Sequence, residues 1–351
     1  MIETWAFHFF THGRMHTPEN PPSPEVVQET FNRYMKLWVD CEDYGLDGLA
    51  FAEHHFAPIS LSPSAHLLVA ALAPQTRRMR LTVLGSVLPL HDARQWVEEV
   101  GMLDYLSNGR FEPGIAPGAG DREAVMAGLA PEQIRPRYYS GAELLAKATA
   151  GPTVTQHDEF YDLEQVPIVP RMREQTGRST WVTVMSPGSA AWAGTRGYKL
   201  CTAFLPMPAA VALAQRYREA ADAAGHTVTP SMLGMRRRVF VADTDAEAQD
   251  KYQQATDYMG ALVGKAFETP DSRARAMLMQ PDDFAIGSPA TVAEKLVEQC
   301  RAGGYGAIMA FTDFAGFDHA DLVRSHELLG RHVAPVLRSA EVAAPTASTA
   351  A

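Results

Sequence analysis

Short apolar runs alternate with longer amphipathic segments over most of the chain. Residues 25–44 carry apolar side chains at helical spacing and stop before Gly45, as expected of a helix. Apolar runs predict strands at residues 4–10, 48–52, 79–88, 110–116, 180–185, 198–203, 232–242 and 306–311. Amphipathic segments predict helices at residues 25–44, 63–73, 93–106, 188–195, 209–224, 246–267, 289–302 and 318–337.

The order of these segments predicts an α/β fold, a (β/α)8 TIM barrel with insertion loops, as one domain over residues 1–338. Prolines in residues 153–176 predict an excursion or long loop, and residues 268–286 look irregular. Residues 339–351, rich in Ala, Ser, Thr and Pro, are expected to form a disordered tail. In such barrels the chemistry lies at the carboxyl ends of the strands, where Glu53, His54 and Ser186 fall.

Composition narrows the classes of function. Hydrophobic residues make up 46% of the 351 residues and charged residues 21%, which fits a globular protein with a substantial core. A net charge of −10 disfavours nucleic acid as a partner. No apolar stretch approaches the roughly 18 residues of a membrane-spanning helix. The N-terminus lacks the pattern of a secretory signal and the three cysteines lack CxxC spacing, so we expect a cytoplasmic protein.

A candidate for proton transfer follows the second predicted strand, at Glu53, His54, His55 and Phe56. Imidazole can donate or accept a proton near neutrality; an ordinary polar loop and a metal site are the alternatives. A metal site is disfavoured because adjacent side chains on an extended backbone point to opposite faces. One of the two histidines is therefore expected to face inward and the other away.

A second candidate lies between a predicted strand and a predicted helix, at Ser186, Pro187, Gly188 and Ser189. Hydroxyls and unpaired N–H groups at a helix N-terminus can bind phosphate, although a plain N-cap explains the same residues. Glycines also follow the fourth predicted strand at Gly114, Gly118 and Gly120, but their GxxxGxG spacing does not support a dinucleotide-binding loop.

Several ordered motifs over residues 2–338 resemble those of the bacterial luciferase-like, flavin-dependent monooxygenases. They are GLDGLAFAEHHF (45–56), LDYLSNGR (103–110) within a longer similar run at 76–118, VMSPGSAAWAGTRGY (184–198) and GSPATVAEKL (287–296) within the similar run at 286–309. Members of this superfamily are (β/α)8 barrels that use reduced FMN or the deazaflavin F420. The resemblance therefore implies a luciferase-like TIM barrel and a flavin cofactor.

The resemblance also implies roles for individual residues. His54 corresponds to the histidine that supports catalysis in the luciferase α-subunit. Ser186 and Ser189 correspond to ligands of the flavin phosphate, with the backbone of Met185 and Gly188 alongside.

The resemblance further places an unusual peptide bond beneath the flavin ring at Leu84 and Gly85. The candidates for substrate contact are Phe7, Phe9, Glu53 and Trp96.

One position departs from the family pattern. The arginine that luciferases place after the fourth strand, to meet the flavin phosphate, is Pro117 here, and the neighbouring luciferase cysteine is Ala116. The resemblance therefore requires another cation, for which the candidates are Arg14, Arg122 and Arg137.

The resemblance implies an FMNH2-dependent monooxygenase that acts on a small, largely apolar organic substrate. A separate flavin reductase would supply the reduced FMN, O2 would form a C4a-peroxyflavin, and His54 would control protonation. No metal, membrane or nucleic acid is expected to take part, and the family expectation is a homodimer. The alternatives are an F420-dependent dehydrogenase or reductase on the same fold, and a non-catalytic luciferase-like partner subunit.

Overall fold

The computed structural model describes residues 1–11, 21–56, 60–118, 120–263, 279–314 and 317–343. The chain divides into two compact units, one of residues 1–49 and 184–351 and one of residues 50–183. The prediction of a single domain over residues 1–338 stays a prediction, and the predicted tail lies outside the described residues from 344 onward.

The strands, in chain order, are β1 Glu3–His8, β2 Gly48–Phe51, β3 Arg80–Val83, β4 Ser86–Val87, β5 Phe111–Glu112, β6 Gly114–Ala116, β7 Thr153–His157, β8 Asp162–Pro167, β9 Trp181–Val184, β10 Lys199–Thr202, β11 Leu233–Val241, β12 Ala285–Gly287 and β13 Ala307–Phe311. The helices are α1 Pro24–Tyr44, α2 Ala65–Leu72, α3 Ala93–Leu106, α4 Asp121–Met126, α5 Pro131–Ala150, α6 Glu174–Arg178, α7 Pro187–Thr195, α8 Met207–Ala223, α9 Asp245–Val263, α10 Pro289–Gly303, α11 His319–Leu328 and α12 Ala334–Ser339. A π-helical turn, Leu329–Val333, joins α11 to α12. Short 3-10 turns lie at Ala73–Gln75, Leu88–Leu90, Pro230–Met232 and Pro281–Asp283.

The first unit, residues 1–49 and 184–351, contains a parallel sheet in which β10 pairs with β11, β11 with β13 and β13 with β1. Strand β12 adds to β11 through the pairing of Val239 with Ala285. Every residue of β13 is buried, as expected of a parallel strand covered on both faces. Helix α1 begins at an N-cap, Ser23, and ends at Gly45, whose φ of +99° favours glycine.

The second unit, residues 50–183, contains the parallel pairs β3 with β5, β4 with β6 and β6 with β9. Helix α3 begins at Asp92, whose side chain accepts a hydrogen bond from the Arg94 N–H. Strands β7 and β8 form an antiparallel hairpin that contacts helix α5. Of the candidate site residues of this unit, Glu53, His54, Leu84 and Gly85 lie in the segments that follow strands, and Trp96 lies in α3.

Most predicted elements are present, with boundaries shifted by one to a few residues. The strand predicted at 79–88 splits into β3 and β4, on either side of a cis peptide bond between Leu84 and Gly85. The strand predicted at 110–116 splits into β5 and β6 at Pro113. The helix predicted at 318–337 is interrupted by the π-helical turn.

Two predictions of irregular structure were wrong in part. Residues 153–176 contain the hairpin β7–β8 and the start of α6 rather than a long loop. Residues 285–287, at the end of the stretch predicted to be irregular, form β12; residues 264–278 lie outside the described residues.

All three cysteines, Cys41, Cys201 and Cys300, are free thiols in the core. Burial raises the pKa of the Cys201 thiol to about 11 and that of Cys300 to about 12, and it raises the pKa of Cys41 further. Among the described residues, no helix is long and apolar enough to cross a membrane.

Candidate active site

His54 lies in the second unit, just beyond the end of β2, and is held by a carboxylate. Its Nδ1 is 3.0 Å from Oε1 of Glu123, which is carried by α4. The same oxygen accepts a hydrogen bond from the backbone N–H of His55 at 3.3 Å. The accessible fractions of the His54 and Glu123 side chains are 14% and 12%, so the pair is largely shielded from water. Glu123 therefore fixes both the orientation of the imidazole and the path of the backbone beside it.

Glu53 is the centre of a second group in the same unit. Its Oε1 accepts hydrogen bonds from the Val87 N–H at 2.9 Å, from His91 Nε2 at 2.8 Å and from His55 Nε2 at 3.1 Å. Burial raises the pKa of this carboxyl group, but the three hydrogen bonds and the charge of His91 outweigh it and lower the pKa to about 2. Burial lowers the pKa of His91, and Glu53 more than reverses this, so that the pKa of His91 is raised.

The two adjacent histidines contact different carboxylates, His54 that of Glu123 and His55 that of Glu53. Their side chains therefore diverge, but both are partly accessible, at 14% and 20%, so the expectation that one faces inward and the other away stays a prediction. Sequence reasoning missed Glu123 and His91, which lie 69 and 38 positions from the residues they bond.

Glu53, His55 and His91 each offer one ligand atom, and these atoms all lie within 4.8 Å of one another. Such a set of two imidazoles and a carboxylate could hold a divalent transition-metal ion. Adjacent side chains on an extended backbone point to opposite faces, which disfavours a metal site formed by His54 and His55. Glu53 and His55 are two positions apart, so this argument does not apply to the set of Glu53, His55 and His91. The expectation that no metal takes part stays a prediction.

The Leu84–Gly85 peptide of the same unit is cis, the unusual bond implied by the resemblance. Gly85 packs so closely on β6 that a Cβ atom there would lie 2.7 Å from the carbonyl carbon of Ile115. Trp96 is buried in α3, with its ring 5.9 Å from that of His66. The predicted roles of Leu84 and Gly85 beneath a flavin, and of Trp96 in substrate contact, stay predictions.

Ser186 and Ser189 lie in the first unit, at the N-terminus of α7. The Ser186 hydroxyl accepts from the Ser189 N–H at 3.3 Å, and Ser189 Oγ accepts from the Ser186 N–H at 3.2 Å, which is a reciprocal cap. Both serines therefore act as helix caps here, and the phosphate role stays a prediction.

The surface at this helix end is open. Met185, Ser186 and Gly188 are exposed, and a Cβ atom on Gly188 would meet no atom of the described residues within 4 Å. Exposed hydroxyls at the positive end of a helix dipole are compatible with an anion, and in this structure the N–H groups of Met185, Ser186 and Ser189 donate to those hydroxyls.

Phe7 and Phe9 lie in and beyond β1 of the first unit, in a group of aromatic rings with Phe204 and Phe311. The ring centroids of Phe7 and Phe9 are 5.6 Å apart, and those of Phe9 and Phe311 are 4.7 Å apart. Phe7 is fully buried and Phe9 is partly accessible. Their contact with substrate stays a prediction.

The candidates for the missing phosphate cation have different surroundings. Arg137 donates to the Pro89 carbonyl at 3.2 Å and lies over the Phe160 ring, whereas Arg122 is exposed and Arg14 lies outside the described residues. Sequence reasoning missed Arg135, which lines a cavity of about 350 Å³ together with Pro117, Gly118 and Gly120.

Comparison with known proteins identifies the family. The model of the luciferase-like monooxygenase family matches residues 4–306. The chain is 24% identical to 2,5-diketocamphane 1,2-monooxygenase 2 of Pseudomonas putida in an alignment 332 positions long, which covers 85% of this chain and 91% of that protein. It is 35% identical to uncharacterized protein y4wF of Sinorhizobium fredii over 157 residues, 45% of this chain and 46% of that protein.

Solved structures show the same fold. The oxygenating constituent of 3,6-diketocamphane monooxygenase from Pseudomonas putida, in complex with FMN, matches with a TM-score of 0.80 and 24% identity over 98% of this chain and 99% of that chain. An F420-dependent secondary alcohol dehydrogenase matches with a TM-score of 0.71 and 14% identity over 96% of this chain and 99% of that chain. These matches confirm the predicted fold class, a luciferase-like TIM barrel. Because the family model matches most of its length, the chain belongs to the luciferase-like monooxygenase family.

Proposed function

We propose that the protein is an FMNH2-dependent monooxygenase that oxygenates a small, largely apolar organic substrate with O2. We propose further that a separate flavin reductase supplies the reduced cofactor and that the enzyme works as a homodimer. The observation that carries the proposal is the His54–Glu123 pair at 3.0 Å, beyond a buried strand in a chain that matches this family.

The cofactor would be held at the open N-terminus of α7. Ser186, Ser189 and the backbone of Met185 and Gly188 would bind the phosphate, and Leu84 and Gly85 would support the ring system. Bound in its reduced state, FMN would supply the electrons for activation of O2, which is chemistry that amino-acid side chains do not provide.

His54 would hold and transfer the proton that oxygen transfer requires. Glu123 accepts a hydrogen bond from Nδ1 of His54, which fixes the orientation and the tautomer of the ring. The limited accessibility of this pair restricts the entry of water that would compete for the proton.

The test compares His54→Gln and Glu123→Gln with a matched control, His157→Gln. His157 also contacts carboxylates, Asp162 at 2.6 Å and Glu164 at 3.1 Å, but on the exposed hairpin. Each purified protein is titrated with FMN, and the rate at which its photoreduced FMN reoxidises in air is measured against pH by stopped-flow absorbance.

We expect the wild type and His157→Gln to share one pH profile. His54→Gln should lower the reoxidation rate by roughly 100-fold, the lower end of the usual contribution of a general acid–base residue. Its affinity for FMN should stay within about twofold of that of the wild type. Glu123→Gln should lower the rate by less than His54→Gln does, because it weakens the hydrogen bond that orients the imidazole without removing the ring. A profile of His54→Gln identical to that of the control would remove His54 from the reaction.

An F420-dependent dehydrogenase or reductase is the second candidate. It is favoured by Pro117 at the position of the phosphate arginine and by the similarity in fold to an F420-dependent secondary alcohol dehydrogenase. Titration with oxidised FMN and oxidised F420 separates the two, because the monooxygenase should bind FMN more tightly. Preference for F420 would replace the first proposal, and binding of neither cofactor would leave the partner-subunit alternative.

A further inference from the structure

The sheet of the first unit carries a row of aromatic and cationic side chains across three neighbouring strands. Arg238 of β11 is in register with Phe311 of β13, and Phe311 is in register with Phe7 of β1. Residues in register on parallel strands project to the same face, and the rings of Phe7 and Phe311 are 5.9 Å apart. Arg236, two positions before Arg238, lies on that face as well, with its guanidinium 4.6 Å from the Phe7 ring centroid.

Arg238 is surrounded by aromatic rings. Its guanidinium lies 4.9 Å from the ring centroid of Phe284 and 5.7 Å from that of Phe314. Within the described part of the chain, its Nε has no hydrogen-bond partner and it forms no ion pair. The face of an aromatic ring attracts a cation. It does not accept the hydrogen bonds that the five N–H groups of a guanidinium donate in the plane of that group.

The carboxylates nearest to these rings in sequence are engaged elsewhere. Asp313, beside Phe314, accepts a hydrogen bond from the Tyr34 hydroxyl at 3.3 Å and faces His8 at 3.6 Å. Asp283, beside Phe284, accepts hydrogen bonds from the backbone of Met207 at 3.0 Å and of Gln280 at 2.9 Å. Neither of these carboxylates forms an ion pair with Arg238 among the described residues, and Oδ1 of Asp313 has no hydrogen-bond partner there.

A half-buried guanidinium without a counter-ion is costly, and burial lowers the pKa of Arg238 accordingly. A ligand that brings a carboxylate would recover this cost, since a carboxylate can accept two parallel hydrogen bonds from a guanidinium.

The aromatic group beside Arg238 contains both buried and partly accessible rings. Phe7 and Phe311 are buried, whereas Phe9, Phe204 and Phe314 are each partly accessible. The accessible rings lie close to the same central ring, with Phe204 at 5.1 Å and Phe314 at 6.0 Å from Phe311. Together they form an apolar wall next to Arg238, a cation that has no counter-ion among the described residues.

We infer that Arg238 binds the carboxylate of an apolar or aromatic substrate whose hydrocarbon part packs on Phe9, Phe204 and Phe314. The inference rests on the proposed function only in identifying this ligand as the substrate. The inference narrows the proposed class of substrate from a small, largely apolar organic molecule to an organic carboxylate with an apolar part.

Binding of a matched pair of probes tests the inference. Phenylacetate and phenylacetamide have nearly the same shape and differ in charge, so their affinities for the full-length protein, measured by isothermal titration calorimetry, isolate the recognition of the anion. The variants are Arg238→Gln and Arg238→Lys, and the control is Arg324→Gln, which removes an exposed arginine paired with Asp243 and Glu327.

We expect the wild type and the control to prefer phenylacetate by about tenfold or more, the usual worth of a charge-assisted hydrogen bond. Arg238→Gln should bind the two probes about equally, and Arg238→Lys should retain part of the preference. The inference is overturned if the wild type binds neither probe, if it does not prefer the carboxylate, or if Arg238→Gln keeps the preference.

FMN titration of the same proteins separates this inference from the proposed function. Retained FMN affinity in Arg238→Gln, with lost preference between the probes, supports both. A loss of FMN affinity in that variant would assign Arg238 to the cofactor and overturn the inference. Failure of the wild type to bind FMN would contradict the proposed function and leave the result with the probes standing.

Discussion

Two glycines, one in β6 and one in α7, differ in what an added Cβ atom would contact. A Cβ atom on Gly114 of β6 would lie 2.1 Å from the Val83 carbonyl oxygen, whereas one on Gly188 of α7 would contact nothing within 4 Å among the described residues. We expect Gly114→Ala to lower the free energy of unfolding by about 1–3 kcal/mol, the usual cost of overpacking.

Gly188→Ala is the matched control for the fold. Alanine favours the helix by about 0.5–1 kcal/mol over glycine, so this variant should be as stable as the wild type or slightly more stable. Urea unfolding measures both variants. Equal stability of Gly114→Ala and the wild type would show that β3 and β6 can move apart without cost.

At the scale of single residues, the sequence could indicate only part of the candidate site. Glu53 and His54 could be found because they follow an apolar strand directly. Glu123 and His91 could not, because their contacts arise only when distant segments fold together. That Arg238 has no counter-ion within the described ranges likewise depends on where Asp283 and Asp313 direct their side chains, which no sequence pattern records.

The packing of helix α11 on β1 contains a buried pair of histidines. His326 and His8 stack with centroids 5.1 Å apart, and His326 Nδ1 lies 2.7 Å from the Leu322 carbonyl oxygen, so Nδ1 carries the proton. His326 Nε2 accepts a hydrogen bond from the Thr312 hydroxyl at 3.1 Å and lies 3.3 Å from His8 Nε2. Burial, with the nearby His8, lowers the pKa of His326 to about 3.

This histidine should make stability depend on pH. Below about pH 6.5 the unfolded chain takes up a proton on His326 that the folded protein does not bind until about pH 3, so stability falls as the pH falls through this range. His326 contributes at most about 1.4 kcal/mol per pH unit to the slope of the free energy of unfolding against pH. We expect His326→Gln to reduce this slope, measured by urea unfolding from pH 4 to 8.

His332→Gln is the control, because His332 is exposed on the same C-terminal segment. It should leave the slope unchanged. A slope in His326→Gln equal to that of the wild type would assign the acid sensitivity to other groups.

At the scale of elements, the sequence predicted most helices and strands because their apolar spacing is regular. The hairpin was missed because its buried face alternates Val154 with Gln156, a polar residue that is buried by hydrogen bonds to Ser140 and Asp158. Helix α5 was missed because Pro136 lies inside it, where proline normally predicts a break. Local hydrogen bonding and packing overrode the hydrophobic pattern in both places.

At the scale of the whole molecule, a bound cofactor should stabilise the fold by mass action. FMN at about 100 times its dissociation constant should add roughly 2.7 kcal/mol, which raises the melting temperature by a few degrees. Riboflavin, which lacks the phosphate, should give a smaller shift, and F420 should give less than FMN.

Calorimetric or fluorescence-detected melting at matched ligand concentrations measures these shifts. Equal shifts with riboflavin and FMN would remove the phosphate from recognition and with it the predicted roles of Ser186 and Ser189.

The sequence predicted the fold class of the whole molecule through its family motifs, but the division of the chain into two compact units depends on long-range packing and left no local pattern.

The burial of Cys41, Cys201 and Cys300 has a practical consequence for labelling experiments. Reagents such as maleimides attack thiolates, and here each native sulfur is both shielded by the core and held in its protonated form. A cysteine introduced at an exposed position would be the reactive sulfur in the native protein. Fluorophores or spin labels can thus be attached at chosen points without first removing the natural cysteines.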